Sequence, residues 1–197
     1  MFTNSDFDVF LALDLEGRME KIRAIIDPKF EAFANKALPI LQTDGQEWYA
    51  HVAKHRMRKT NAPDNTWVAF APNKRGYKMM PHFELGLWAD NLYLYLAVEE
   101  NMKPAQLATI GPKLREITDL VAQLPNDFVL SQNHMVNENQ PLTAYEDLVE
   151  RYQQVKASEI LIGIKINQGD VRFGDTQLEA DLLAVLKTLL PLYQKLR

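Results

Sequence analysis

Asn73-Lys74-Arg75-Gly76-Tyr77-Lys78 is the densest group of chemistry-bearing residues in the sequence. A turn containing glycine exposes backbone N–H groups, and Lys74, Arg75 and Lys78 add fixed cationic donors. Arginine grips phosphate or carboxylate oxygens two at a time. Tyr77 supplies a ring on which a base stacks. The segment lacks the GxxxxGK[ST] pattern of a Walker A loop, and no GxGxxG occurs anywhere in the chain. Read as structure alone, it is a solvated hairpin tip.

Histidine is the next signal. His51 and His55 are four apart, which places them on one face of a helix or a strand, and His82 and His134 complete the set. Such a group could ligate a metal. However, Lys54, Arg56, Arg58 and Lys59 crowd the same segment and repel a divalent ion, and no HExxH occurs. No metal is therefore expected, and hydrogen-bonding histidines are. His82-Phe83-Glu84 puts His82 and Glu84 on the strand face opposite Phe83, Leu85 and Leu87. With the leucine face in the core, the polar pair is expected to look into a cleft or solvent, as an acid/base pair must.

The charge distribution points the same way. The 197 residues carry a formal net charge of -4, yet His51 to Met80 holds seven cations and one acid, Asp64. A basic block in an acidic chain is the electrostatic trace of an anionic partner. The rival reading is that these cations pair with acids elsewhere in the fold. Cysteine is absent, which excludes disulfides, thiolate zinc sites and cysteine nucleophiles. With 47% hydrophobic and 24% charged residues the chain has globular composition, and no apolar run reaches the length of a membrane span. The first residues show no basic segment followed by an apolar one, so a cytoplasmic location without membrane contact is expected.

The elements that must hold these residues can be read from periodicity. Residues 5–41 read as helical, with a restart at Asp27-Pro28. Residues 66–71, 82–88 and 92–98 alternate as strands joined by turns, which implies an antiparallel meander. A helix follows from about 104 to 124, with Gly111-Pro112 as the place for a kink. Residues 127–130 and 160–166 read as further strands. Thr143 and Thr176 each open a capping box ahead of a helix. Strands cluster in the middle with helices before and after. The expectation is α+β: one domain, residues 1–197, with a mostly antiparallel (mixed) central sheet and flanking helices.

His51-Val52-Ala53-Lys54-His55, then 64–70, then 73–78 with Pro81-His82-Phe83, resemble the YktB-like family, as does Asn133-His134-Met135. These are bacterial proteins of unknown function, mostly from low-GC Gram-positive bacteria. The resemblance covers essentially the whole chain. It implies a compact α+β cytoplasmic protein with a sheet like that of class II synthetases and biotin ligases. It brings no activity, cofactor or catalytic residue. The residues themselves lead to a basic, histidine-containing patch made of His51, His55, Arg58, Lys74, Arg75, Lys78, His82 and His134. The expected function is binding of a phosphate-bearing or other anionic small ligand there. A nucleic-acid-binding module using the same cations is the second reading, although a pI near 5.6 is low for one. An enzyme using His82, Glu84 or His134 is the third. No cofactor is identified, and oligomeric state is not readable.

Overall fold

The computed structural model describes residues 1–197, the side chain of Asp44 excepted. Its centre is built by the alternating segments. β2 (Asn65–Ala71), β3 (His82–Trp88) and β4 (Asn91–Val98) form the meander. β1 (Tyr49–Val52) extends it beyond β2, and β6 (Ile160–Asn167) pairs with β4 on the other side. β5 (Phe128–Ser131) closes on β6, so the sheet order is β1-β2-β3-β4-β6-β5. Every adjacent pair among the described strands is antiparallel, so the sheet has no parallel component.

One face of this sheet is apolar throughout. Phe83, Leu85 and Leu87, the even-numbered residues 92–98 of β4 and the isoleucines of β6 all point into one continuous core. Burying a Leu or Ile side chain contributes about 1.5–3 kcal/mol, so a face this rich must be covered. The cover is helical: α1 (Leu15–Lys21), α2 (Asp27–Leu41), α3 (Lys103–Glu116), α4 (Thr118–Ala122), α5 (Tyr145–Gln154) and α6 (Thr176–Leu196) all contribute to it. The α+β class therefore holds, with helices on one face only. Among the described residues no helix is long and apolar enough to cross a membrane.

Several element ends differ from the sequence expectation. An α-helix does begin at Asp27 with Pro28 in its first turn, but a π-helical turn (Ile22–Ile26) leads into it without a break, so Asp27 does not cap it. The wider turn accommodates Pro28, whose missing N–H costs nothing in the first turn of α2. The second helical stretch breaks at Ile117, leaving Gly111-Pro112 inside α3. Neither threonine caps its helix. Thr143 lies within a 3-10 turn (Leu142–Ala144), and α6 is capped by Asp175, whose Oδ1 accepts the Gln177 N–H at 2.8 Å.

Candidate functional site

The other face of the sheet carries the odd-parity residues of β2 and β4 and the even-parity residues of β3. Ala69, Gly86, Ala97 and Gly163 are small, and the space they leave is filled by Trp67, Tyr93 and Tyr95. Gly86 shows the need most directly. A Cβ there would lie 2.1 Å from Tyr93 Cζ, so only glycine lets that ring lie flat on the sheet. So placed, Tyr93 stacks on Tyr95 at 4.9 Å and donates its hydroxyl to Glu84 Oε1 at 2.6 Å.

This face is closed, contrary to the expectation that His82 and Glu84 look out: both are 0% exposed. The loops 53–64, 72–81 and 132–139 fold back over it. Tyr77 packs against His82 at 4.8 Å and against His51 at 5.7 Å, and its hydroxyl accepts the Trp67 Nε1–H at 2.9 Å. His51 in turn donates Nε2–H to the Asn73 carbonyl. His55 and His134 sit edge-on to Trp67, and Asn139 reaches the Tyr95 hydroxyl. The connection between β2 and β3 is thus a cover for the sheet as well as a turn.

Beneath the cover, one end of the sheet gathers six ionisable groups, His82, Glu84, Glu99, His134, Glu159 and Lys78. His82 begins β3, Glu99 follows β4, Glu159 precedes β6 and His134 comes from the loop after β5. The antiparallel register fixes their meeting. Val98 pairs with Ile160, which brings Glu99 and Glu159 together, and His82 pairs with Ala97, one step from Glu99 on the same face. His82 Nε2 lies 3.5 Å from Glu99 Oε1 and 4.0 Å from Glu84 Oε2. His134 Nδ1–H donates to Glu159 Oε2 at 2.7 Å, and the His134 backbone N–H reaches the same oxygen. Lys78 Nζ stands 3.3 Å from Glu99 Oε2.

Burial sets the protonation of this group. It holds His82 down at about 4, so the ring is neutral at pH 7. It pushes Glu84 up to about 7, against the pull of His134 and the Tyr93 hydroxyl, and raises Glu99 as well. Burial also opposes charge on His134, but the Glu159 hydrogen bond and the neighbouring carboxylates outweigh it and hold that imidazole up at about 9. The arrangement is a charged His134–Glu159 pair beside a neutral histidine and two carboxyls. Such a set can ligate a cation or hold a proton.

Most of the other cations lie elsewhere. Lys54, Arg56, Arg58 and Lys59 join Arg23, Glu16, Leu15 and Met19 around an open cleft of about 470 Å³. His55 lines it too, in left-handed backbone at φ 47°, uncommon for residues other than glycine. Burial and the adjacent Arg58 hold its imidazole at about 4. The buried Arg18 anchors the far end of the loop, donating to the carbonyls of Phe10, Ala12 and Pro63 at 2.7–2.8 Å. Lys74 and Arg75 project from the 72–81 cover, exposed, and line neither place.

The eight residues singled out in the sequence therefore fall into separate groups. His51, Lys78, His82 and His134 contact the covered face; His55 touches Trp67 on that face and also borders the cleft, where Arg58 lies; Lys74 and Arg75 stand apart. Glu99 and Glu159 escaped the sequence reading. A signal existed, since Glu99 continues the parity of Tyr93, Tyr95 and Ala97, and Glu159 that of Leu161 and Gly163. It became usable only with the β4–β6 register.

Over residues 2–193 the chain matches the family described as a domain of unknown function, DUF1054. It is 62% identical over the full length of both chains to a UPF0637 protein of Leuconostoc mesenteroides. A UPF0637 protein of Leuconostoc citreum is 51% identical, with 98% of each chain covered. One from Lactiplantibacillus plantarum is 43% identical over 98% of this chain and 94% of its own.

Proposed function

Since this chain belongs to the DUF1054 family of bacterial proteins, a domain of unknown function, we propose from its geometry that it binds a phosphate-bearing small ligand in the α1-side cleft. The observation that supports this is the convergence of cations from two separate segments. Arg23 comes from the helix; Lys54, Arg56, Arg58 and Lys59 come from the loop. Glu16 is the acid lining the same cleft, and Asp27 faces Arg23 and Lys54 from one side. Cations still outnumber acids, and like charges held this close await an anion. Leu15 and Met19 form an apolar floor, which suits an organic phosphate better than a bare ion. Arginine supplies the bidentate grip. The ligand class is the one the basic segment suggested, but Lys74 and Arg75 take no part in it.

A thermal-shift series tests this. Orthophosphate, pyrophosphate, a sugar phosphate and a nucleoside monophosphate are titrated against chloride at matched ionic strength. A ligand at a hundred times its Kd stabilises the fold by about 2.7 kcal/mol through mass action. The wild type is expected to gain melting temperature with at least one phosphate ester. Arg56→Gln with Lys59→Gln should lose most of that gain, whereas Lys74→Gln with Arg75→Gln should keep it. A wild type indifferent to every phosphate, or equal losses in both pairs, would refute the assignment.

A further inference from the structure

We propose that the protein holds one divalent first-row transition-metal ion between His82 Nε2, Glu84 Oε2 and Glu99 Oε1. The carrying observation is three buried acceptor atoms facing one another without a donor. The His82 Nδ1 contacts the Met80 carbonyl at 2.9 Å. A carbonyl only accepts, so Nδ1 bears the proton and the neutral ring presents a bare lone pair at Nε2. That lone pair faces Glu99 Oε1 at 3.5 Å and Glu84 Oε2 at 4.0 Å. All three atoms are buried with no hydrogen-bond partner, on side chains 0–1% exposed. Buried acceptors are normally satisfied, and three converging unsatisfied ones are costly.

A proton on either carboxyl satisfies one contact and leaves the remaining acceptor unmet. A water has two protons for three acceptors. A cation meets all three at once. The three ligand atoms lie within 4.8 Å of one another. Around an ion with ligands at about 2.1 Å, donor atoms sit about 3.4 Å apart in a tetrahedron, so small rotations of the two glutamates close the set. One imidazole with two carboxylates suits zinc, manganese or ferrous iron better than calcium or magnesium. The flanking parts are also in place. The Met80 carbonyl fixes the His82 tautomer, the Tyr93 hydroxyl holds the other oxygen of Glu84, and Asn101 and Lys78 hold the other oxygen of Glu99. A second group, Glu99 with His134 and Glu159, shares Glu99 and borders the same space. Lys54, Arg56, Arg58 and Lys59, the cations that argued against a metal in the sequence, lie around the cleft on α1, whereas the groups that face His82 Nε2 are the carboxylates of Glu84 and Glu99, with Lys78 on the far oxygen of Glu99.

The experiment uses the full chain without a histidine tag, stripped with EDTA and titrated with Mn²⁺ or Zn²⁺ alone. Calorimetry and the Mn²⁺ paramagnetic resonance signal read binding, and melting temperature reads its effect on the fold. One equivalent per chain and a chelator-reversible rise in melting temperature are expected. His82→Gln and Glu99→Gln should each weaken binding by about 100-fold or more, because each removes a ligand. In Glu99→Gln the new amide can donate to His82 Nε2, so the metal-free variant should melt no lower than the metal-free wild type. That keeps the test valid if His82→Gln does not fold. Arg56→Gln with Lys59→Gln should bind the ion normally, which separates this site from the cleft. Absence of binding by both ions at millimolar concentration, or a Glu99→Gln variant that binds as tightly as the wild type, overturns the proposal.

Discussion

His134 and Glu159 illustrate how one side chain can hold another in an otherwise forbidding place. Their side chains are 9% and 6% exposed and share a 2.7 Å bond. Removing the imidazole leaves a carboxylate with little water and, of its two bonds to residue 134, only the one from the backbone N–H. His134→Ala is therefore expected to destabilise the protein by about 3–5 kcal/mol, read by urea denaturation at pH 7. A surface change such as Lys74→Gln should stay within about 0.5 kcal/mol. At this scale the sequence told half the story. Histidines and cations are conspicuous by type, and His51, Lys78, His82 and His134 do meet one covered face. Glutamates are common, and nothing local separates Glu99 and Glu159 from the solvated ones. Their role depends on a pairing between strands more than sixty residues apart, which no window along the chain contains.

Elements were legible in proportion to the strength of their period. β3, β4 and β6 alternate apolar and other residues over seven or eight positions, and all three appear. β1, four residues with one exposed and three half-buried, carries no such pattern and was not anticipated. The helix caps failed for a smaller reason: Asp175 and Thr176 are adjacent and both are capping types, so composition could not choose between them. Gly86 shows a demand that periodicity does not reveal. Gly86→Ala puts a methyl where Tyr93 lies, and displacing that ring also takes its hydroxyl from Glu84. The expected loss is about 1–3 kcal/mol from overpacking. Adding Tyr93→Ala should make the glycine substitution much less harmful than it is alone. A double-mutant cycle on melting curves checks this, and simple additivity would contradict the account.

For the whole molecule, the class and the single domain followed from strands grouped between helices, whereas the one-sided arrangement did not, because periodicity does not say which face a loop will cover. The covered face has a global consequence in its pH profile. His55 and His82 are both held at about 4, below the value near 6.5 of an unfolded histidine, so the unfolded chain takes up protons first and stability falls as pH drops from about 6.5 through 4. His134, raised to about 9, and Glu84, raised to about 7, act in the other direction. Their contributions are present below the unfolded values and are lost as pH rises through the folded ones. Stability of the EDTA-treated chain should thus peak slightly below neutral, and denaturation midpoints from pH 4 to 9 would show it; a flat profile would count against the burial of these groups. The strand order carries a different consequence, one of timing. β6 lies between β4 and β5 although it follows both in the chain. While the protein is being synthesised, β4 presents an unpaired edge of Leu, Tyr and Val, and β5 has only its bridge from Leu130 to Gln140, until residues 160–167 emerge. The sheet is therefore completed late. A nascent chain halted before β6 is the form most exposed to wrong pairing with other strands, and the one for which a chaperone has most to cover.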